Sequence, residues 1–154
     1  MTAKPPQAVA AARGTPAGTG ATLAGELTTL LAGRLPGMLG VRIAEASPHR
    51  VVGELTIVEN VLAPNGYLHA ATVVGLADTA CGIGTRLALP PGASGFTTLE
   101  LKTNYLATAR TGVITATATP VHVGRRTQVW DATVHDEVAQ VLALFRCTQM
   151  ILYP

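Results

Sequence analysis

Charged residues are scarce in this sequence: Asp, Glu, Lys and Arg make up 13% of its 154 residues, against roughly 25% in an ordinary soluble domain. Apolar residues make up 48%, and the chain is long enough for one domain with a full hydrophobic core. A small domain with so few charges cannot cover its whole surface with them. We therefore expect part of that surface to be buried against further copies of the chain.

Basic residues show no clustering that would suit nucleic acid. The formal net charge is only +2, and no basic run is interleaved with aromatic residues. Arg125 and Arg126 are the only adjacent pair of Lys or Arg residues. Such a pair fits a local anion contact better than a groove for a polyanion, so we expect no nucleic-acid partner.

No long apolar run marks a signal peptide or a membrane span. Lys4 and Arg13, near the start of the sequence, are not followed by an apolar stretch. The most apolar segment, residues 67–89, contains Asp78 near its centre, and a central Asp opposes membrane insertion by about 2.5–3.5 kcal/mol. We therefore expect a cytoplasmic protein without a membrane partner.

Cysteines are few, and the familiar catalytic motifs are missing. Cys81 and Cys147 are the only two cysteines, and they have neither CxxC spacing nor the density of a disulfide framework. We expect them to be buried free thiols in a reducing compartment. The sequence also lacks a GxSxG elbow, a Ser–His–Asp order, a phosphate-binding glycine loop and His/Cys metal spacing. We expect no metal.

The first half of the chain predicts an arm and two helices. Residues 1–20 are rich in Ala, Pro, Gly and Thr without periodicity and predict a mobile N-terminal arm, which leaves residues 21–154 as a single domain. Leucines at helical spacing predict a first helix that ends at Pro36. A long apolar helix begins after Asn65-Gly66 and ends by Pro90.

Segments rich in Thr, Val and Ile predict strands around these helices. The expected strands are a hairpin over 41–46 and 50–58, then a meander over 96–106, 112–123, 127–136 and 139–151. Short connections imply antiparallel pairing. The predicted fold class is α+β, with a curved antiparallel β-sheet wrapped around the long central helix.

One acid, Asp78, stands in the middle of the most apolar helix. A carboxylate buried without a partner is costly, so such a residue is rarely left there by drift. The residues that share its helical face are mostly small: Ala71, Val74, Gly75, Cys81, Gly82 and Thr85. Small neighbours leave room for a partner helix or a slender ligand. The alternative is that Asp78 only accepts a hydrogen bond from a neighbouring backbone at a helix–helix contact.

The start of the long helix offers a second functional group. Its first backbone N–H groups lack partners within the helix and can hold an oxygen that becomes negative. His69 lies about 13 Å from Asp78 along the helix axis, which excludes a His–Asp dyad within one chain. Asp78 of a two-fold-related chain, on an antiparallel helix, can reach a carbonyl docked at the helix start. The spacing therefore predicts a dimer with composite sites.

The pattern G-x-x-H-A-A-x(6)-D, which ends at Asp78, resembles the hotdog-fold acyl-CoA thioesterases of the phenylacetate-degradation and 4-hydroxybenzoyl-CoA group. The resemblance spans residues 41–152 and includes the later segments LKTNYLATARTG and PVHVGRRTQVWDATVHDE. It implies the hotdog fold and dimers that commonly assemble into tetramers. It also implies hydrolysis of acyl-CoA to a free acid and CoA, with CoA as part of the substrate and no separate cofactor.

The resemblance assigns roles to the residues at both places on the helix. The acid that matches Asp78 acts as a nucleophile or as a general base for water. The N–H of Ala70 polarises the thioester carbonyl, and His69 helps to hold that turn and the bound thioester. A Ser in the adjoining strand assists some members, and Thr98 is its nearest match.

Several positions depart from the family pattern. The Gly-Gly that usually follows the His is Ala70-Ala71 here, and a hydroxyl residue of some members is replaced by Gly82, on the substrate side of the helix. Ala63 stands where the family has Asn or Gln. Either Asn65, next to Gly66, substitutes for it through a rearranged turn, or that contact to the thioester is missing.

The turn Gly124-Arg125-Arg126-Thr127 matches a place where this family often contacts the nucleotide end of CoA. Arg suits phosphate because its planar fork makes two charge-assisted hydrogen bonds. The alternative is a turn with two solvated arginines.

The main hypothesis is a homo-oligomeric acyl-CoA thioesterase in which Asp78 supplies the acid and Ala70 N–H the oxyanion contact. The alternative is a non-catalytic hotdog module that binds an acyl thioester or a partner protein. A hotdog hydratase is less favoured, because no Asp-x(4)-His pattern occurs around the helix. No residue specifies the acyl group.

Overall fold

The computed structural model describes residues 20–154. Residues 1–19 of the predicted mobile arm lie outside this range. The elements are α1 (Gly20–Leu31), α2 (Leu35–Met38), β1 (Arg42–Ser47), β2 (Arg50–Thr56), a 3-10 helix (Glu59–Val61), α3 (Ala70–Leu87), β3 (Gly95–Tyr105), β4 (Val113–Val123), β5 (Thr127–His135) and β6 (Val141–Leu152). The strands form one six-stranded antiparallel sheet in the order β1-β2-β4-β5-β6-β3.

The sheet curves around α3, which contacts all six strands. The expected α+β architecture, a long central helix wrapped by a curved antiparallel sheet, is confirmed. None of the helices between residues 20 and 154 has the length and hydropathy needed to cross a membrane.

Side chains alternate in burial along the strands, and the buried ones form the core between the sheet and α3. In β5 the buried positions are Gln128, Trp130, Ala132 and Val134, and the residues between them are half-buried. The Trp130 ring packs against α3 at Gly84, where a Cβ would come within 2.4 Å of the ring. Glycine at this position therefore lets the helix approach the sheet closely.

The strand order corrects the predicted meander. β3 does not pair with β4 but with β6, at the edge of the sheet, and β4 lies between β2 and β5. Residues 106–112 are a crossover that passes the start of α3, where Leu68 N–H donates to Ala109 O. Side-chain alternation specifies which face of a strand is buried but not which strand lies beside it, so this pairing was missed.

The face of α3 around Asp78 is less open than expected. The large residues Leu76 and Ile83 are buried, but Cys81 and Thr85 are fully buried too. The sheet curves far enough around α3 to cover them. Both cysteines are free and buried, as predicted.

Candidate active site

The first turn of α3 leaves one backbone donor unpaired. His69 precedes the helix, and its Nδ1 accepts a hydrogen bond from Ala71 N–H at 3.0 Å. The carbonyl of His69 accepts from Thr72 N–H. Ala70 N–H has no acceptor anywhere in residues 20–154, and Ala70 is exposed. A free donor is thus presented at the positive end of the helix dipole.

Asn65 and Gly66 form the turn that leads towards α3. Asn65 Oδ1 accepts from Tyr67 N–H at 3.1 Å, and Gly66 N–H donates to Ala63 O at 2.8 Å. Gly66 has a φ of 78°, a conformation that favours glycine. The side-chain oxygen of Asn65 therefore accepts one hydrogen bond within the turn, and its amide nitrogen has no partner in the described residues.

Asp78 lies near the middle of α3, beside the edge strand β3. Its Oδ1 is buried and has no hydrogen-bond partner in the described part of the chain. Burial raises the pKa of Asp78 above its ordinary value, because removal from water disfavours the charged form. The alternative role, a hydrogen bond from a neighbouring backbone to this acid, is not observed between residues 20 and 154.

A cavity of about 320 Å³ opens at Asp78. Its walls are mainly apolar and come from the end of α1, the start of α2, α3 and β3: Leu31, Pro36, Ile83 and Phe96. Gly82, one turn after Asp78, lies next to the Phe96 ring, where an added Cβ would be 3.6 Å from the ring. The space beside the acid therefore suits a largely apolar group.

Polar side chains in the cavity wall, besides Asp78, come from α3 (Thr79 and Arg86) and from the neighbouring strands (Thr98 and Gln149). The Thr98 hydroxyl donates to Gln149 Oε1 at 2.9 Å. Among the predicted site residues, the structure thus brings together Asp78, Thr98 and Gly82. Gln149 was not predicted, although the sequence carried a signal: in β6 it is in phase with the buried Phe145, Cys147 and Ile151.

Ala70 N–H and Asp78 lie too far apart to act on one carbonyl group within one chain. Along the helix axis they are about 12 Å apart, whereas reacting atoms must approach to about 3–3.5 Å. Ala70 and Asp78 nevertheless both lie beside the edge strand β3. The Tyr105 hydroxyl, at the end of β3, donates to Ala70 O at 2.9 Å, while Thr98, near its start, lines the Asp78 cavity.

The hairpin between β4 and β5 lies at the opposite end of α3 from Ala70. Gly124 N–H donates to Thr127 O at 2.9 Å and closes the turn. Gln128, the next residue, donates from Nε2 to Ala88 O at 2.8 Å. This contact ties the hairpin to the C-terminal end of α3.

Arg125 and Arg126 are exposed on this hairpin and form no ion pair in residues 20–154. The guanidinium of Arg125 lies over the Tyr153 ring at 5.6 Å from its centroid, and the Tyr153 hydroxyl donates to Arg125 O at 2.7 Å. The pair does not line the Asp78 cavity. The two arginines place two positive charges beyond the C-terminal end of α3.

Comparison with known proteins gives the chain a family. Residues 65–143 match the thioesterase superfamily. A 1,4-dihydroxy-2-naphthoyl-CoA hydrolase of Listeria monocytogenes is 37% identical over 110 residues, which cover 71% of this chain and 89% of that protein. The matched region contains Asn65, Ala70, Asp78 and Thr98.

Solved structures agree in fold. A thioesterase from Haemophilus influenzae superposes with a TM-score of 0.80 at 26% identity, over 84% of this chain and 90% of that one. A hypothetical thioesterase from Streptococcus pneumoniae, solved with coenzyme A, has a TM-score of 0.67 at 23% identity, over 73% and 86% of the two chains. The chain therefore has the hotdog fold of these proteins and belongs to the thioesterase superfamily.

Proposed function

We propose that this protein hydrolyses acyl-CoA thioesters to a free acid and CoA, at active sites that two chains share. The observation that carries the proposal is Asp78, an acid whose Oδ1 is buried without a hydrogen-bond partner in the described chain, beside a largely apolar cavity. A buried acid with a raised pKa next to a cavity is typical of a group that transfers protons or attacks substrate. Membership of the thioesterase superfamily supplies the reaction class.

The proposed reaction divides the work between Asp78 and Ala70. The thioester carbonyl oxygen accepts a hydrogen bond from Ala70 N–H, and the carbon is attacked either by water that gives a proton to Asp78 or by the Asp78 carboxylate itself. Negative charge then develops on the carbonyl oxygen, where the helix start stabilises it. Collapse of the intermediate breaks the C–S bond, and the CoA thiolate leaves and takes up a proton. With water as the nucleophile the free acid forms in this step, and Asp78 gives the thiolate the proton that it took from water. With Asp78 as the nucleophile an acyl-Asp78 anhydride remains, and water then hydrolyses it to the free acid. No metal takes part in this scheme.

The edge strand β3 supports a shared site. β3 is 11 residues long, and its outer edge has no neighbouring strand in residues 20–154. Leu99, Leu101 and Tyr105 on this strand are 54%, 42% and 47% exposed. A long edge with exposed apolar side chains favours pairing with another chain.

The order of residues along this edge fits a two-fold partner. In β3, Thr98 lies beside Asp78, because both line the same cavity. Tyr105 lies beside Ala70, because its hydroxyl donates to Ala70 O. Leu101 lies between them in β3, as Val74 lies between Asp78 and Ala70 in α3. A two-fold axis near Leu101 would bring Asp78 of each chain towards Ala70 of the other and form two equivalent sites. Such a dimer is our proposed minimal unit, and two dimers would make the tetramer common in this family.

An aromatic acyl group is the first substrate class to test. The Listeria monocytogenes relative is named for hydrolysis of a naphthoyl-CoA, and the wall of the Asp78 cavity includes the Phe96 ring. Leu31, Pro36 and Ile83 add further apolar surface to the cavity, which suits an aromatic ring. The structural relative solved with coenzyme A supports a CoA thioester as the substrate.

Release of free thiol from a panel of short, medium and aromatic acyl-CoAs tests this function. We expect turnover of about 1 s⁻¹ or faster on at least one member, with aromatic acyl groups favoured over acetyl. If the folded protein binds CoA but releases no thiol across the panel, the non-catalytic module that binds an acyl thioester becomes the better account.

The double variant Arg125→Ala/Arg126→Ala tests the role of the hairpin. We expect KM for acyl-CoA to rise about tenfold with little change in kcat, because the lost phosphate contacts bind substrate and transition state equally. Arg50→Ala, in the β1–β2 hairpin, is the matched control. A pantetheine thioester without the nucleotide should show no such rise in KM. An equal rise with this truncated substrate would contradict a phosphate contact.

A further inference from the structure

Three polar side chains form a row across the sheet beneath α3. Gln128 in β5 lies directly opposite Gln149 in β6, which lies directly opposite Thr98 in β3. Both glutamines are 0% exposed. A carboxamide buried this completely is costly unless it is hydrogen-bonded, so its partners indicate what it does.

The two glutamines have different partners. Gln128 bonds to Ala88 O, at the end of α3, and its Oε1 accepts from Trp130 Nε1 at 2.9 Å. Gln128 therefore links the C-terminal end of α3 to the buried Trp130 ring. Gln149 lines the Asp78 cavity, accepts the Thr98 hydroxyl at 2.9 Å, and donates from Nε2 to Cys147 Sγ at 3.3 Å.

The bond between Thr98 and Gln149 fixes the direction of the hydroxyl. Gln149 Oε1 is a carbonyl oxygen without a hydrogen, so the hydroxyl must be the donor. Thr98 Oγ1 has then used its only hydrogen and can offer only lone pairs to the cavity. Asp78, when ionised, also offers only lone pairs. One water molecule has two hydrogens and can satisfy both acceptors.

We propose that Gln149 is a positioning residue of the hydrolytic site, which makes Thr98 a pure acceptor so that the attacking water donates one hydrogen to Thr98 and one to Asp78. The inference rests on the proposed thioesterase function and selects its water-activating form. The oxygen of the water, held by both hydrogens, keeps its lone pair for the thioester carbon. As the new C–O bond forms, Asp78 takes one proton. When the C–S bond breaks, the CoA thiolate takes that proton from Asp78.

Loss of the Gln149 acceptor would release the Thr98 hydroxyl. Rotation of the Thr98 side chain could then bring this hydroxyl to Asp78 Oδ1, to which it is not hydrogen-bonded now and which has no other donor in the described residues. A hydrogen bond to the carboxylate stabilises the charged form and lowers its pKa. It also takes the place of the water. The expected sign is therefore a lower pKa of Asp78 together with slower turnover.

Other titratable and charged groups lie near Asp78, and Gln149→Met affects one of them: it removes the hydrogen bond from Gln149 to Cys147 Sγ, which helps to lower the pKa of Cys147. Arg86, also on α3, shares the cavity. The Cys81 and Cys147 thiols interact electrostatically with Asp78, and the hydrogen bond between them together with burial raises the pKa of Cys81. The cavity residues from α1 and α2, Leu31 and Pro36, do not titrate. The contact with Cys147 is lost with or without the Thr98 hydroxyl, so a decrease in the pKa of Asp78 that requires this hydroxyl can be assigned to Thr98.

The test compares Gln149→Met, Thr98→Val and the double variant with the wild type. The pKa of Asp78 is measured by NMR titration of its carboxyl carbon in the unliganded protein, and kcat is measured against pH. We expect Gln149→Met to lower the pKa and to reduce kcat about 10- to 100-fold with little change in KM. The same substitution in the Thr98→Val background should not lower the pKa. Gln128→Met is the matched control: it should lower the Tm without moving the pKa of Asp78.

Thr98→Val alone gives a second test that leaves the buried glutamine intact. Because the wild-type hydroxyl points to Gln149, this variant should reduce kcat and leave the pKa of Asp78 in the free protein unchanged. A rise in that pKa would mean that Thr98 donates to Asp78 and would overturn the proposal. So would an unchanged pKa in Gln149→Met, or a decrease that persists without the Thr98 hydroxyl. Absence of thiol release by the wild type would instead refute the proposed function, since the titrations do not depend on turnover.

Discussion

Asp78→Asn should reduce the turnover of acyl-CoA by at least about 100-fold, the scale of a positioned acid–base group. The amide has nearly the volume of the acid but can neither take a proton from water nor attack a carbonyl carbon as a carboxylate. Thiol release under saturating substrate measures the loss. Asp136→Asn is the matched control, because Asp136 Oδ1 accepts from Val138 and Gln140 N–H groups, and an amide oxygen can do the same. Near-normal turnover in Asp78→Asn would remove this acid from the mechanism.

The same substitution should leave the protein folded and make it more stable at neutral pH. Burial raises the pKa of Asp78, so between the ordinary and the raised value the folded protein binds more protons than the unfolded chain. Stability then falls as pH rises through this window. Asn cannot ionise and so removes the cost of burying a charged carboxylate, and Tm should rise by a few degrees at pH 7. The gain should disappear below about pH 3.5, where Asp78 is protonated in both states.

Ala70→Pro should reduce kcat about 100- to 1000-fold, the usual effect of removing one oxyanion donor. Proline lacks the N–H that would hold the carbonyl oxygen, yet it suits this position. Ala70 is the first residue of α3, where proline is favoured. His69 has a φ of −68° and a ψ of 135°, a conformation that the residue before a proline prefers. The protein should therefore fold normally.

Ala70→Gly is the matched control for that variant. It keeps the N–H and restores the residue that the family usually has after the His, so most of the turnover should remain. Circular dichroism and Tm check that both variants are folded. If a folded Ala70→Pro protein turns over acyl-CoA at the wild-type rate, the oxyanion contact lies elsewhere.

Much of the fold was predictable because its signals are local. Helical spacing and the turn before it predicted a long helix, observed as Ala70–Leu87. Alternation of Thr, Val and Ile predicted the later strands to within a few residues. The position of β3 was missed, because pairing of β3 with β6 depends on where residues 106–112 cross the end of the sheet.

The candidate site was predictable in its chemistry but not in its surroundings. An acid in an apolar helix is conspicuous in sequence, and so Asp78 was found. Gln149 resembles any other polar residue in a strand until its phase with Cys147 and Ile151 is considered. Its contact with Thr98 joins strands that are far apart in sequence, and only the tertiary structure brings these two residues together.

Hybrid dimers test the shared active site most directly. One chain carries Asp78→Asn and the other Ala70→Pro, each inactive as a homodimer. In a hybrid, one site has both defects, and the other combines an intact Asp78 with an intact Ala70 N–H. Random reassembly makes half of the dimers hybrids with one working site of two, so mixing should restore up to about a quarter of the wild-type activity. Hybrids that form, stay folded and remain inactive would contradict a site built from two chains.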